Sequence, residues 1–240
     1  MNMTFDRNLF TQIGVDSGSL TMLSAVTHSF REPGEYRGSV DTEDEGQAVF
    51  YISVDKESPV AQVNIDLSTL AQPSETDEKC GCEGSQNRFS VNPKGYAVFH
   101  VSGGAGGYHV HVRRAKENAE EKVFDSRQLD DGDIFSAVIL RPGTYSVVNV
   151  HTEARAEIVV PYPQVSETPY RPPAPVHVQA TRGHFEPRRI ELYPGQGLLF
   201  ECKTTSRIRI ELEKPDDGPG SPQGPTTRGG WRKNSLETDV

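Results

Sequence analysis

His109-Val110-His111 puts two imidazoles at alternate positions of an apolar run. Alternate residues of a strand point to one face, so this spacing lets both rings hold one ion. His100, on the preceding apolar run, is a third candidate ligand. Cys80-Gly81-Cys82 is the other pair with metal or redox chemistry. Two thiolates one residue apart can bind a soft ion or close a strained, reducible disulfide. The repeated Cys-x₂-Cys of a zinc site is missing, so this pair also reads as an incidental one in a loop. Copper or zinc is the only cofactor these residues suggest.

Other chemistry is poorly served. Gly103-Gly104-Ala105-Gly106-Gly107 precedes a strand, whereas a phosphate cradle needs a helix N-terminus behind it. A flexible hairpin loop is the expectation there. No Gly-x-Ser-x-Gly elbow and no His-Glu-x-x-His pair is present. Asp130-Asp131 and Asp216-Asp217 are adjacent carboxylates, not an acid–base pair across a cleft. Cys202 sits in an apolar run and reads as a buried thiol. The last four residues, Glu237-Thr238-Asp239-Val240, match the pattern that PDZ domains read, with Thr238 and Val240 as its two defining positions.

The elements that must position these residues are strands. Ala48–Val54, Tyr96–Val101, Tyr108–Val112, Tyr145–Val150, Ala156–Val160, Gly197–Cys202 and Arg207–Leu212 are rich in β-branched and aromatic residues. Several alternate apolar and polar residues with period two. Turn residues separate them at short intervals, which predicts a sandwich rather than alternating strands and helices. Lys116 to Lys122 reads as a short exposed helix or a charged loop.

Residues 72–86 form a linker rich in Pro, Ser, Glu and Gly that carries the cysteine pair. Residues 161–175 hold six prolines in fifteen positions and predict a stiff strap. Residues 215–240 lack apolar content and predict a disordered tail. The chain has 240 residues and a formal net charge of −9, from 34 acidic and 25 basic side chains. That charge disfavours nucleic acid as a partner. No apolar run reaches the ~18 residues of a membrane span, and no basic-then-apolar leader opens the sequence. With three cysteines, the expected compartment is the cytoplasm.

Two short repeats recur. Pro33-Gly34-Glu35-Tyr36 parallels Pro142-Gly143-Thr144-Tyr145. Pro93-Lys94-Gly95-Tyr96-Ala97-Val98-Phe99 parallels Pro194-Gly195-Gln196-Gly197-Leu198-Leu199-Phe200. Each proline presets a turn ahead of a strand.

The stretch Phe89-Ser90-Val91-Asn92-Pro93-Lys94-Gly95-Tyr96-Ala97-Val98-Phe99 resembles the opening half of a cupredoxin. Gly132-Asp133-Ile134-Phe135, Pro142-Gly143-Thr144-Tyr145 and Ile158-Val159-Val160 resemble its closing strands. The resemblance implies a Greek-key β-sandwich over residues 87–160, with His109 where the first copper histidine falls. It also puts Asn149 where the family has its copper thiolate. His151 follows too soon, and no methionine follows Met22, so a blue-copper centre is not expected. Phe185 to Gly195 resembles the opening half again. This predicts a second sandwich made by residues 1–71 with 176–214.

The expectation is therefore an all-β, antiparallel, cupredoxin-like chain of two sandwiches. The favoured role is a non-catalytic binding or assembly module with a protein partner or self-association. The first alternative is copper or zinc binding through His109 and His111, with His100, Cys80 and Cys82 as further candidates. The second is a hydrolase or isomerase on the same scaffold.

Overall fold

The structure, a computed structural model, describes residues 11, 13–42, 46–71, 87–104, 106–116, 119–163 and 170–218. Their regular structure is nearly all strand. The strands are β1 (Gly14–Asp16), β2 (Ser24–Ser29), β3 (Gly34–Thr42), β4 (Gly46–Val54), β5 (Gln62–Asp66) and β6 (Arg88–Val91). After them come β7 (Tyr96–His100), β8 (His109–Lys116), β9 (Ala119–Asp125), β10 (Ile134–Val138), β11 (Gly143–Asn149) and β12 (Arg155–Val160). The last are β13 (Val176–Ala180), β14 (Phe185–Glu186), β15 (Arg189–Glu191), β16 (Gly197–Cys202) and β17 (Ile208–Pro215). One short helix, α1 (Leu67–Ala71), follows β5. Asp66 caps it, its Oδ1 accepting from the Ser68 amide at 3.1 Å.

Three sheets result. The first outer sheet runs β6-β4-β3-β8-β9 and the second β1-β17-β11-β12-β15. A seven-stranded sheet, β14-β13-β16-β10-β2-β7-β5, is shared between them. The chain repeats itself in this pairing. β2–β7 and β10–β16 are antiparallel, while β5–β7 and β13–β16 are parallel. β3–β4 and β11–β12 are antiparallel, while β4–β6 and β12–β15 are parallel. β3–β8 and β11–β17 are antiparallel. Antiparallel pairing of β2 with β10 joins the two halves. Val26 faces Phe135 across that joint and both are fully buried, so both halves build their cores on one face of the shared sheet.

The edge strands complete the repeat. Among the described residues, β9 pairs only with β8, and β1 pairs only with β17. The first half thus comprises β2–β9, and the second comprises β10–β17 closed by the N-terminal β1. The pairing cuts across the 87–160 division expected from sequence. β6 to β9 pair with strands of residues 24–66, whereas β10 to β12 pair with β15, β16, β17 and β2. Among the described residues, strand pairing between residues 1–71 and 176–214 is confined to β1 on β17. The physical reason lies in register. Continuing β10 beside β2 and β16 leaves no internal edge open, which local closure of 87–160 would not do.

Both Pro-Gly-x-Tyr segments make the same corner. Tyr36 Oη donates to the Glu32 carbonyl and Tyr145 Oη to the Arg141 carbonyl, each at 2.6 Å. Gly34 and Gly143 precede them at φ of 148° and 152°, where a Cβ is disfavoured. The described residues of the 116–122 stretch are strand and not helix: β8 runs to Lys116 and β9 starts at Ala119. The Gly103–Gly107 stretch is not a hairpin, because it crosses from β7 in the shared sheet to β8 in the outer one. Gly104, Gly106 and Gly107 all adopt positive φ there. The expected tail starts later than Pro215. β17 includes that residue, and the Asp216 amide donates to the Pro142 carbonyl at 3.1 Å. Residues 219–240, with Thr238 and Val240, lie outside the described residues. The strap docks at its end, where Gln196 Nε2 donates to the Ala174 carbonyl at 2.6 Å.

Aromatic rings fill the core of the first half. Phe50 of β4, Phe99 of β7 and Phe124 of β9 link the outer sheet to the shared one, with centroids 5.9 and 5.3 Å apart. Phe50 lies across Gly38, where an added Cβ would come within 2.0 Å of the ring. Glycine at that position makes room for the phenylalanine. Gly38→Ala is expected to destabilise the fold by about 2 kcal/mol, the usual scale for overpacking a filled core. Urea unfolding would measure it, and an unchanged midpoint would contradict this packing.

β1 is held by charge. Arg207 donates to both oxygens of Asp16 at 3.0 Å, Arg209 Nε adds a bond at 3.1 Å, and the Gly18 amide one at 2.8 Å. Burial acts to raise the Asp16 pKa. The Arg207 and Gly18 hydrogen bonds and the arginine charges outweigh it and hold the carboxyl below the usual range. A depressed folded pKa means this stabilisation is present above about pH 4 and fades as pH falls through the lower folded value. Asp16→Asn should cost about 2 kcal/mol at pH 7, within the range for removing one partner of a partly buried pair. The gap to wild type should narrow below pH 4. A gap that stays constant down to pH 2 would contradict the assignment.

Candidate metal centre

His109 and His111 project from the outward face of β8, opposite the core residues Val110 and Val112. β3 sets Asp41 opposite His109 and Ser39 opposite His111. On the other side, β9 sets Asp125 opposite His111. Three strands therefore deliver two imidazoles, two carboxylates and a hydroxyl to one patch. The neighbours bury His109 to 6% exposure although it faces away from the core.

Hydrogen bonding fixes the proton on His109. Its Nε2 lies 3.0 Å from Asp125 Oδ1, and an ionised carboxylate only accepts, so Nε2–H is the donor. In the neutral ring, Nδ1 then carries a lone pair. That Nδ1 is buried with no hydrogen-bond partner, alone in this among the buried side-chain polar atoms of the described residues. It lies 3.4 Å from Asp41 Oδ2. His111 repeats the arrangement. Ser39 Oγ is 2.6 Å from its Nε2 and can accept from Nε2–H, while Nδ1 stands 3.5 Å from Asp41 Oδ2. The rings are 5.6 Å apart, centre to centre.

Two Nδ1 atoms thus stand near one Oδ2; His109 Nδ1 has no hydrogen-bond partner, while Ser39 Oγ also lies 3.4 Å from His111 Nδ1. Donors 2.0–2.1 Å from a tetrahedral ion stand about 3.3–3.5 Å from one another. The two separations to Asp41 fit that edge and exceed an ordinary hydrogen bond. Asp41, His109 and His111 all offer ligand atoms within 4.8 Å. Asp125 supplies the carboxylate behind a ligating histidine that orients the ring.

The electrostatics suit a cation. Burial would raise the Asp125 pKa, but hydrogen bonds from His109 and the Arg127 amide, with the charges of His109 and Lys122, hold it at about 2. Burial lowers the His111 pKa more than Asp41 raises it, so the ring is neutral at pH 7 and free to ligate.

The other sequence candidates lie elsewhere. His100 is on β7 of the shared sheet, opposite Ala25 and Asp66, and does not join the cluster. Cys80 and Cys82 are outside the described residues. His151 sits in the turn after β11, its Nε2 3.2 Å from the Arg127 carbonyl. Asn149, expected to share a vacated copper site with His109, is in the other half. It is fully buried there, donating to Ser206 Oγ at 2.9 Å and accepting from the Arg207 amide at 3.2 Å. Pairing of β11 with β17 instead of β8 separates the two positions. Sequence reasoning missed Asp41 and Asp125. Asp41 opens the acidic run Asp41-Thr42-Glu43-Asp44-Glu45, which reads as solvated, and Asp125 carries no spacing signal to the histidines.

No family model, curated protein or solved structure matches the chain. No helix among the described residues is long and apolar enough to cross a membrane.

Cys202 is fully buried on β16. Burial, reinforced by Asp133, pushes its thiol up to about 12, so no thiolate forms at neutral pH. In a C80S/C82S variant, Cys202 should react with Ellman's reagent at least 100-fold slower than a free thiol until denaturant is added. Fast reaction in the native protein would contradict this burial.

Proposed function

We propose that the protein is a non-enzymatic, cupredoxin-like double sandwich that binds one divalent transition-metal ion through Asp41, His109 and His111. The repeated pairing and the two tyrosine corners support the cupredoxin-like reading. The observation that carries the metal reading is the buried, unpartnered Nδ1 of His109, aimed at a carboxylate oxygen 3.4 Å away. A buried acceptor without a donor is costly, and a Lewis acid relieves that cost. Two imidazoles and one carboxylate favour zinc or copper(II) over calcium or magnesium, which prefer all-oxygen shells. The set lacks a thiolate, so blue-copper electron transfer is not the proposed chemistry.

Binding of a protein partner has its own support. The face of the shared sheet opposite the core presents Ala25, Thr27, Val98, Ser136, Val138 and Leu199 at its centre, with Glu201, His100 and Asp66 on the same face around them. Centre residues of this kind are typical of interfaces. Leu199→Lys should weaken any self-association seen by sedimentation; equal sedimentation of variant and wild type would remove that reading.

For the metal, titration of chelator-treated protein with zinc and copper(II) should give one ion per chain for at least one of them. At 100-fold excess over Kd, bound metal adds about 2.7 kcal/mol, or several degrees in Tm. Single His109→Ala and His111→Ala variants should each weaken binding at least tenfold. Sub-stoichiometric binding, or binding that ignores both substitutions, would sink the assignment.

A further inference from the structure

The two halves answer one electrostatic problem in two ways. On β17, Arg209 faces Asp16 of β1; on β8, His111 faces Asp125 of β9. Two residues earlier on each strand, Arg207 Nε meets Asp16 Oδ1 at 3.0 Å and His109 Nε2 meets Asp125 Oδ1 at 3.0 Å. The carboxylates, the strands and the registers correspond. Only the partner differs: two permanently charged guanidiniums in one half, two imidazoles in the other.

Both carboxylates sit on edge strands with a single neighbour, β1 on β17 and β9 on β8. An edge strand is the easiest element to peel from a sheet, and side-chain contacts across it oppose that. In the second half, Arg207 and Arg209 supply two positive charges to one carboxylate. In the first half two imidazoles face two carboxylates, Asp125 and Asp41. The Lys122 ammonium, 3.7 Å from Asp125 Oδ2 and 43% exposed, is a distant and solvated partner. Among the described residues, no guanidinium is bonded to Asp41 or Asp125 as Arg207 and Arg209 are to Asp16; Arg113 of β8 pairs instead with Glu120 of β9 at 2.9 Å.

Resting on the metal reading above, we infer that the ion in the first half does the work that Arg207 and Arg209 do in the second. It ties β8 to β3 directly and holds β9 through the His109–Asp125 bond. The site is then a structural clasp and not a reaction centre. Its consequence is regulatory: the β9 edge is closed when metal is available and loosened when it is scarce, while the β1 edge stays closed in both conditions.

Hydrogen exchange on the wild-type chain tests this without any variant. With stoichiometric zinc, amides of β9 and its partner β8 should exchange at least tenfold slower than in chelator. Amides of β1 and β17 should be unchanged. Zinc that binds but leaves β9 exchange unaltered, or that slows β1 as much as β9, overturns the clasp. Failure of zinc and copper(II) to bind overturns the metal reading itself, and the two failures are told apart by counting bound metal. A second experiment transplants the arginine solution. The H109R/H111R variant should bind no zinc, yet melt in chelator within about 2 °C of zinc-loaded wild type, under ~1 kcal/mol for a chain of this size. Should it fold but melt no higher than metal-free wild type, the equivalence is refuted. If it fails to fold, the side chains are not interchangeable and the equivalence is likewise refuted.

Discussion

A sheet whose faces are apolar cannot leave its middle strands unpaired. Each open edge exposes a row of amides and carbonyls beside a surface that repels water, and another strand will fill it. The joint between β2 and β10 meets this constraint for the whole molecule. Val26 and Phe135 meet across it at zero exposure, so the joint is part of the core and not a linker between finished domains. Once β10 is committed to β2 and β16, β11 and β12 must cover the second half. β3 and β4, which follow β2, must cover the first.

The same logic explains why the ends of the chain are tied together. With β10 to β12 used in the second half, β17 has one neighbour, β11, and one free edge. The N-terminal β1 fills it, and Asp16 arrives opposite Arg209 and beside Arg207. In the first half, β9 fills the matching edge by a direct return from β8. β1 pairs with β17 over three positions and β9 with β8 over six, and each adds side-chain contacts to that ladder. The placement of ionisable groups on the outer faces thus follows from sheet closure, not from a cleft. It also puts His109 and His111 on the face of β8 opposite the core residues Val110 and Val112.

Much of this was legible from local pattern, because local pattern reports strands. The alternating runs of β7, β11 and β16 were readable, since each buries every second side chain. Short strands such as β1, β14 and β15 carry too few residues for any period to show. The repeats Pro33-Gly34-Glu35-Tyr36 and Pro142-Gly143-Thr144-Tyr145 did mark equivalent corners, yet which strands pair is a long-range fact. The histidine pair was visible because its spacing is a property of one strand. Asp41 and Asp125 were not, because their position beside β8 depends on the registers of β3 and β9.

Asn149 shows how a resemblance can locate a position without locating its partners. The cupredoxin comparison directs attention to the end of β11, and this residue is indeed fully buried. Its surroundings are already complete, however. The Asn149 side chain donates to Ser206 and accepts from the amides of His151 and Arg207. An amide side chain with filled valences contributes a rigid bridge between β11 and the start of β17, and has no lone pair left for a soft ion. Among the buried side chains described, His109 Nδ1 alone has no hydrogen-bond partner, and it stands 3.4 Å from Asp41 Oδ2.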